Sequence, residues 1–206
     1  MNISVIRKLC LTLPEKPERK QRAVEHFASI GMEGVEFVRG VNADAFGLLT
    51  KFPYEVDNPG SGFNMGPHCV GIWLSHWMLW LALSLSKTEP HWLILEDDVI
   101  FHADWKARVD QAMRDVPKEF DWLFLGSCCT QGKGNAKIKG QIYDCRYPAC
   151  FHAYVVSKKA CEHLLATQRK CYAPIDLSVI FHSFRAMRVY TLIPRVADQF
   201  NTDISP

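Results

Sequence analysis

The sequence predicts an α/β domain: a mostly parallel central sheet flanked by helices. Three observations carry this. Short apolar runs of strand character alternate with amphipathic segments of helical spacing along most of the chain. The run from His91 to Leu95 ends abruptly in three acids, Glu96, Asp97 and Asp98, as a strand does when it opens at the carboxyl edge of an α/β sheet. The chain of 206 residues, 48% apolar, is long enough for one sizeable core, so residues 1–206 read as a single domain.

In order, Ile3 to Leu13 reads as a strand and Glu15 to Ile30 as a helix, with Pro17 in its first turn and Gly31 and Gly34 as stop signals. Val35 to Val41 is the second strand, and Ala43 to Pro67 a long connection rich in Pro, Gly, Asn and Ser. His91 to Leu95 is the next strand, Asp104 to Val116 a helix, and Trp122 to Leu125 another apolar strand. Beyond a Gly- and Lys-rich loop before Ile142, which reads either as a lid over an anionic substrate or as a surface loop, the pattern is less regular. Ala149 to Val156 looks extended, Lys158 to Thr167 and Leu177 to Phe184 helical, and Met187 to Ile193 is rich in β-formers.

Cys69 to Ser86 has no Asp, Glu, Lys or Arg and approaches the length of a membrane span. Gly71, Ser75, His76, Ser84 and Ser86 interrupt it, and Trp73, Trp77 and Trp80 recur at helical spacing. A buried central helix is expected, with no transmembrane segment. The 24 basic and 22 acidic residues leave a net charge of +2, which gives no reason to expect nucleic acid as a partner. Arg7 and Lys8 break the apolar start, so no secretory signal is expected. The eight cysteines include no Cys-x-x-Cys pair; they read as reduced thiols of a cytoplasmic protein, Cys145 and Cys150 being the pair that could close around a loop.

Adjacent carboxylates repel one another, and a hard divalent cation that shares oxygen ligands with substrate phosphates relieves the repulsion. On an extended backbone Glu96 and Asp98 point the same way and can share one ion, while Asp97 faces oppositely. A solvated turn of surface acids is the plainer alternative. Arg19, near the amino terminus of the first helix, suits a phosphate, and Asn42 either touches a nucleotide or forms a turn. His76 reads as a hydrogen-bonded core histidine or a ligand; for His182 nothing local argues a metal role.

The order of motifs resembles glycosyltransferase family 25, the lipooligosaccharide and collagen-type galactosyl- and glucosyltransferases. The resemblance rests on Leu13-Pro14-Glu15-Lys16-Pro17-Glu18-Arg19, Gly40-Val41-Asn42-Ala43, Ser75-His76 with Trp80, and Leu93-Ile94-Leu95-Glu96-Asp97-Asp98-Val99. It continues through Asp121 to Gly126, His152 to Ser157, Pro174-Ile175-Asp176, and Gln199 with Thr202-Asp203-Ile204. Thr12 stands where the family's first strand carries Asn, and the Gly66–Gly71 stretch departs from the usual Gly-Cys spacing.

The resemblance implies a GT-A-like nucleotide-sugar-binding fold, residues 1–100 forming the donor half and 101–206 the acceptor half. It implies an inverting, metal-dependent hexosyltransferase using Mn²⁺ or Mg²⁺. The expected donor is a nucleotide-diphosphate sugar, UDP-glucose or UDP-galactose first, and the acceptor a glycan, a lipooligosaccharide or a hydroxylated protein. Asp98 and Glu96 are the expected metal ligands, and Arg19, Asn42, Glu96 and Asp97 the expected donor contacts. Asp176 is the catalytic-base candidate, with helix capping as its competing role and Asp121 or Asp144 as substitutes. A noncatalytic relative that binds nucleotide sugar or glycan, and a metal-dependent phosphate-cleaving hydrolase, are the other classes.

Overall fold

The computed structural model of the chain describes residues 2–43, 66–128, 135–145, 147–171 and 173–200. After a 3₁₀ turn at Ile3–Val5 come β1 (Arg7–Thr12), α1 (Pro17–Ser29), β2 (Val35–Arg39), α2 (Pro67–Leu85), β3 (His91–Glu96) and β4 (Val99–Phe101). They are followed by α3 (Trp105–Asp115), β5 (Trp122–Gly126), β6 (Lys137–Lys139), β7 (Ile142–Asp144) and β8 (Ala153–Ser157). The chain then forms α4 (Lys158–Thr167), α5 (Ile175–His182), β9 (Val189–Leu192) and β10 (Ala197–Gln199).

Eight strands form one sheet in the order β2-β1-β3-β8-β5-β9-β7-β6, and β4 pairs with β10 in a small second sheet. Parallel pairing joins β1 to β2, β1 to β3 and β5 to β9. β8 and β7 run against their neighbours, so the other strands of the large sheet share one direction. The chain leaves β1 for β2 on one side and returns through α2 to β3 on the other. β1 and β3 therefore flank a topological switch point, where their diverging connections leave a crevice at the carboxyl edge.

Period-two alternation divides the strand residues between two cores. Leu9, Leu11, Trp92, Ile94, Trp122, Phe124, Tyr154 and Val156 face the layer of α2, α4 and α5. Cys10, Leu93, Leu95, Leu123, Leu125, Ala153 and Val155 face α1 and α3. α1 starts on Pro17, whose fixed φ suits the first helical position, and ends before Gly31, which takes a left-handed φ of +64°.

α2 is the one described helix long and apolar enough to cross a membrane by length and composition. Here it lies in the domain, with Trp73, Trp80 and Leu83 fully buried in the larger core. It also abuts the main chain after β2: a Cβ at Gly71 would run into the Val41 carbonyl and crowd the Ala43 nitrogen at 3.3 Å. One turn on, Ser75 Oγ donates to the Gly71 carbonyl at 2.7 Å and accepts from the Val41 N–H at 2.8 Å. Gly71 and Ser75 thus fix residues 41–43 against the helix. Gly71→Ala is expected to lower stability by about 1–3 kcal/mol through overpacking, measured by urea unfolding. Because the turn would be pushed away, it should also weaken any ligand bound against Asn42.

The cysteine expectation needs correction. Cys128, just past β5, is disulfide-bonded to Cys150, while Cys145 is a buried free thiol. The register that sets Gly126 opposite Ala153 brings the flanking segments together, and spacing along the chain does not reveal it. The thiol argument for a reducing cytoplasm lapses with this bond.

Candidate active site

A cleft of about 350 Å³ opens at the switch point. Its floor is the carboxyl edge of β1 and β3, where Leu11 pairs with Glu96; its walls are residues 40–43, the His68–His76 face of α2, and Lys16 and Arg19 of the first helix and its approach. Of the residues expected to act, Arg19, Asn42, Glu96, Asp97 and Asp98 all line it. Gln199 joins them from β10, so the cleft is lined from both ends of the chain.

Glu96 is the last residue of β3, and the chain turns immediately after it. The alternation expected of an extended backbone therefore fails at Asp97, which does not face away from the other two acids. Arg19 Nη2 lies 2.5 Å from Asp97 Oδ1 and 3.2 Å from Asp98 Oδ2, holding both carboxylates to the same cleft. Burial raises the Asp97 carboxyl despite Arg19. Asp98 is pushed up to about 6 by burial and by the Glu96 charge, against the pull of Arg19. Burial acts to raise Glu96 as well, but the hydrogen bond from His76 and the neighbouring cationic groups outweigh it and hold the carboxyl low.

His76 is buried, and its surroundings define its tautomer. Trp80 Nε1, which can only donate, gives its proton to Tyr154 Oη at 3.2 Å. The Tyr154 hydroxyl then has His76 Nδ1, 2.8 Å away, as the acceptor of its own proton. His76 Nε2 is left protonated and donates to Glu96 Oε1 at 3.1 Å. On the other side Gln199 Nε2 donates to Glu96 Oε2 at 3.5 Å. His76 is thus the core histidine of the plainer reading and also the orienter of Glu96. Sequence reasoning had named Gln199 only as part of a motif; its pairing with Val99 in the small sheet delivers it.

Asp176 does not line the cleft; its charge adds to the effect of burial in raising the Cys69 thiol near the start of α2. Pro174 holds the N-cap position, and Asp176, inside the first turn, takes up one of the helix's free N–H groups in its place. Its Oδ2 accepts from the Cys150 N–H at 3.0 Å and its Oδ1 from the Leu177 N–H at 2.8 Å. Contacts lead from it to the cleft: Cys150 is bonded to Cys128, whose Sγ lies 3.5 Å from Gln199 Oε1, and Gln199 reaches Glu96. Cys150 takes a left-handed φ of 66°.

The substitute bases fall away. Asp121 precedes β5 at the opposite edge of the sheet and is engaged by Arg188, through its N–H at 2.8 Å and Nε at 3.1 Å. Asp144 ends the reversed β7 beside Tyr190 near the start of β9, again at that far edge. His182 closes α5, away from the end that carries Asp176. Thr202, Asp203 and Ile204 lie outside the described residues.

The acids fit a divalent cation by donor set. Asp98 Oδ1 is buried and makes no hydrogen bond, Asp97 and Asp98 share a single guanidinium, and Glu96 is held by His76 and Gln199. Among the described residues the group whose ligand atoms all lie within 4.8 Å of one another is Cys128, Cys150 and His152, two of which are consumed in the disulfide; the three acids are more widely spread.

An acid-floored crevice at the switch point of a helix-flanked sheet defines a ligand-binding α/β protein of GT-A-like fold. The solved structure of a glycosyltransferase involved in the glycosylation of the major capsid of PBCV-1 has that fold too, covering 96% of this chain and 93% of its own with a TM-score of 0.54 at 12% identity. Residues 6–133 match the model of glycosyltransferase family 25 (LPS biosynthesis protein), and the chain belongs to that family. The probable inactive glycosyltransferase 25 family member 3 of Bos taurus is 26% identical over 168 residues, 77% of this chain and 28% of that protein. The procollagen lysyl hydroxylase and glycosyltransferase of Acanthamoeba polyphaga mimivirus is 27% identical over 169 residues, 74% of this chain. The chain spans 18% of that viral protein, so in both comparisons it corresponds to under a third of the relative.

The raised Asp98 carboxyl carries a stability signature. Its folded form holds a proton more tightly than the unfolded chain, so its contribution is fully present below the ordinary carboxylate range and lost as pH rises through about 6. In chelator, Asp98→Asn is therefore expected to melt above the parent at pH 7.5, the gap closing as pH is lowered toward 4. Calorimetry across that range checks the sign.

Proposed function

We propose that this chain is a glycosyltransferase domain that moves a hexose from a nucleoside-diphosphate sugar to a hydroxyl of a glycan or hydroxylated protein, with inversion. The observation that carries the reading is the convergence of Glu96, Asp97, Asp98, Arg19 and the residue 41–43 turn on one cleft, to which Asp176 is linked through Cys150, Cys128 and Gln199. Asp98, with Glu96, would hold Mn²⁺ or Mg²⁺, which when bound supplies charge to the leaving diphosphate.

The remaining roles belong to the chain. Arg19 offers a guanidinium to phosphate. Asn42 sits on the wall fixed by Ser75 and suits nucleoside contact, and His76 and Gln199 hold Glu96 from both sides. Asp176 accepts the proton of the attacking acceptor hydroxyl. Its two N–H partners hold the carboxylate in position.

The bovine relative's name carries the word inactive, which favours a second reading as a noncatalytic binder of nucleotide sugar. The complete acid set, with its buried unpaired Asp98 oxygen, argues for turnover. The lysyl hydroxylase in the viral relative's name is a reason to include hydroxylated peptides among the acceptors tested.

The deciding experiment is release of UDP from UDP-glucose and UDP-galactose with Mn²⁺, with and without acceptor. Acceptor-dependent release supports transfer, release that ignores acceptor supports a hydrolase, and binding without release supports the noncatalytic reading. Asp98→Asn should lower turnover by about a hundredfold or more while remaining folded. Full activity of that variant in excess chelator would sink the metal role. Asp176→Asn keeps an oxygen for one of its two N–H partners but is no base, so the melting temperature serves as the control for the lost contact. It should stay folded, retain donor affinity and lose roughly two to four orders of magnitude in rate; near-parental transfer would move the base elsewhere.

A further inference from the structure

Arg19 does two incompatible things if it remains where it is. Its Nη2 is committed to Asp97 Oδ1 and Asp98 Oδ2, while its Nε is buried without a hydrogen bond and so is Asp98 Oδ1. The cluster is therefore only half satisfied by its one guanidinium, and the guanidinium only half satisfied by the cluster. A divalent cation taken up by Asp98 would meet this guanidinium on the same carboxylate, and like charges so close repel strongly in a partly buried site. Arg19 projects from the first turn of α1 beside Lys16 on the cleft wall, and its side chain is 27% exposed, so it has room to turn toward the cleft.

We infer that Arg19 is the resident counter-cation of the acid cluster and is handed over to phosphate. It neutralises Asp97 and Asp98 in the empty cleft, yields Asp98 when a divalent cation enters, and pairs with the diphosphate that arrives with the metal. This rests on the reading of the cleft as a nucleoside-diphosphate and metal site. Its content is a pair of opposite effects: the guanidinium opposes binding of the metal alone and favours binding of the nucleotide with the metal. A fixed phosphate ligand would give only the second effect, and a purely structural salt bridge neither.

The test uses the full chain, Mn²⁺ alone as the first probe and UDP at saturating Mn²⁺ as the second, with Mn²⁺ followed by electron paramagnetic resonance and UDP by calorimetry. Arg19→Gln is expected to bind Mn²⁺ alone about tenfold more tightly than the parent and UDP with Mn²⁺ about tenfold more weakly, the scale of one partly buried charge pair. Arg19→Lys, which keeps the charge, should leave Mn²⁺ affinity within about twofold. Mn²⁺ affinity unchanged or weakened in a folded Arg19→Gln protein overturns the hand-over, as do shifts of both ligands in the same direction. Arg19→Met serves the same comparison if the Gln variant does not fold. Failure of the parent itself to bind Mn²⁺ in the presence of UDP would instead remove the transferase reading, a result distinct from the loss of the crossed effect.

Discussion

The end of β3 is where a fully apolar strand must stop without leaving charge stranded, and much of the molecule is arranged around that requirement. Glu96 is met by a hydrogen-bonded file of aromatic and imidazole groups running back through α2 and β8. Asp97 and Asp98 are met by a guanidinium from α1. Neither arrangement could form on an isolated hairpin: α2 must lie over one face of the sheet and α1 over the other, with β8 inserted beside β3 to supply Tyr154. The packing that excludes water from the Trp-rich core also makes the hydrogen bonds to Glu96 strong, because competition from solvent is low there.

The apolar and turn chemistry of the sequence was enough to find most elements and most of the cleft. Strands were legible where Leu, Ile, Val and Trp alternate or run together, and the first helix where Pro17 and Gly31 bracket it. What was not legible is what depends on partners distant in the chain. The extended character of Ala149 to Val156 is local, but its reversed direction between β3 and β5 is a property of the assembled sheet. The Cys128–Cys150 bond and the arrival of Gln199 beside Glu96 have the same origin in strand register. Asp97 was misdirected for a different reason: alternation assumes an extended chain, and here the turn begins one residue earlier.

Donor-side and acceptor-side candidates are joined by a short run of contacts rather than by a shared wall. From Asp176 it passes through the Cys150 N–H, the disulfide, Gln199 and Glu96. Two strands that never pair with each other, β3 and β10, meet in it. Two carboxylates from distant parts of the chain, Asp176 and Glu96, are thereby held in relation by one main-chain N–H, one disulfide and one amide side chain.

The turn at residues 41–43 is pinned by a glycine that lets helix and backbone touch and by a serine that borrows the Val41 amide. One wall of the cleft is consequently made of peptide groups, whose positions the sheet and helix dictate. Such a wall cannot drift as its side chains are exchanged. Thr12 and Asn42 line this groove, so their side chains can be exchanged while it keeps its width, and the chemistry presented to the cleft can change without a change of architecture.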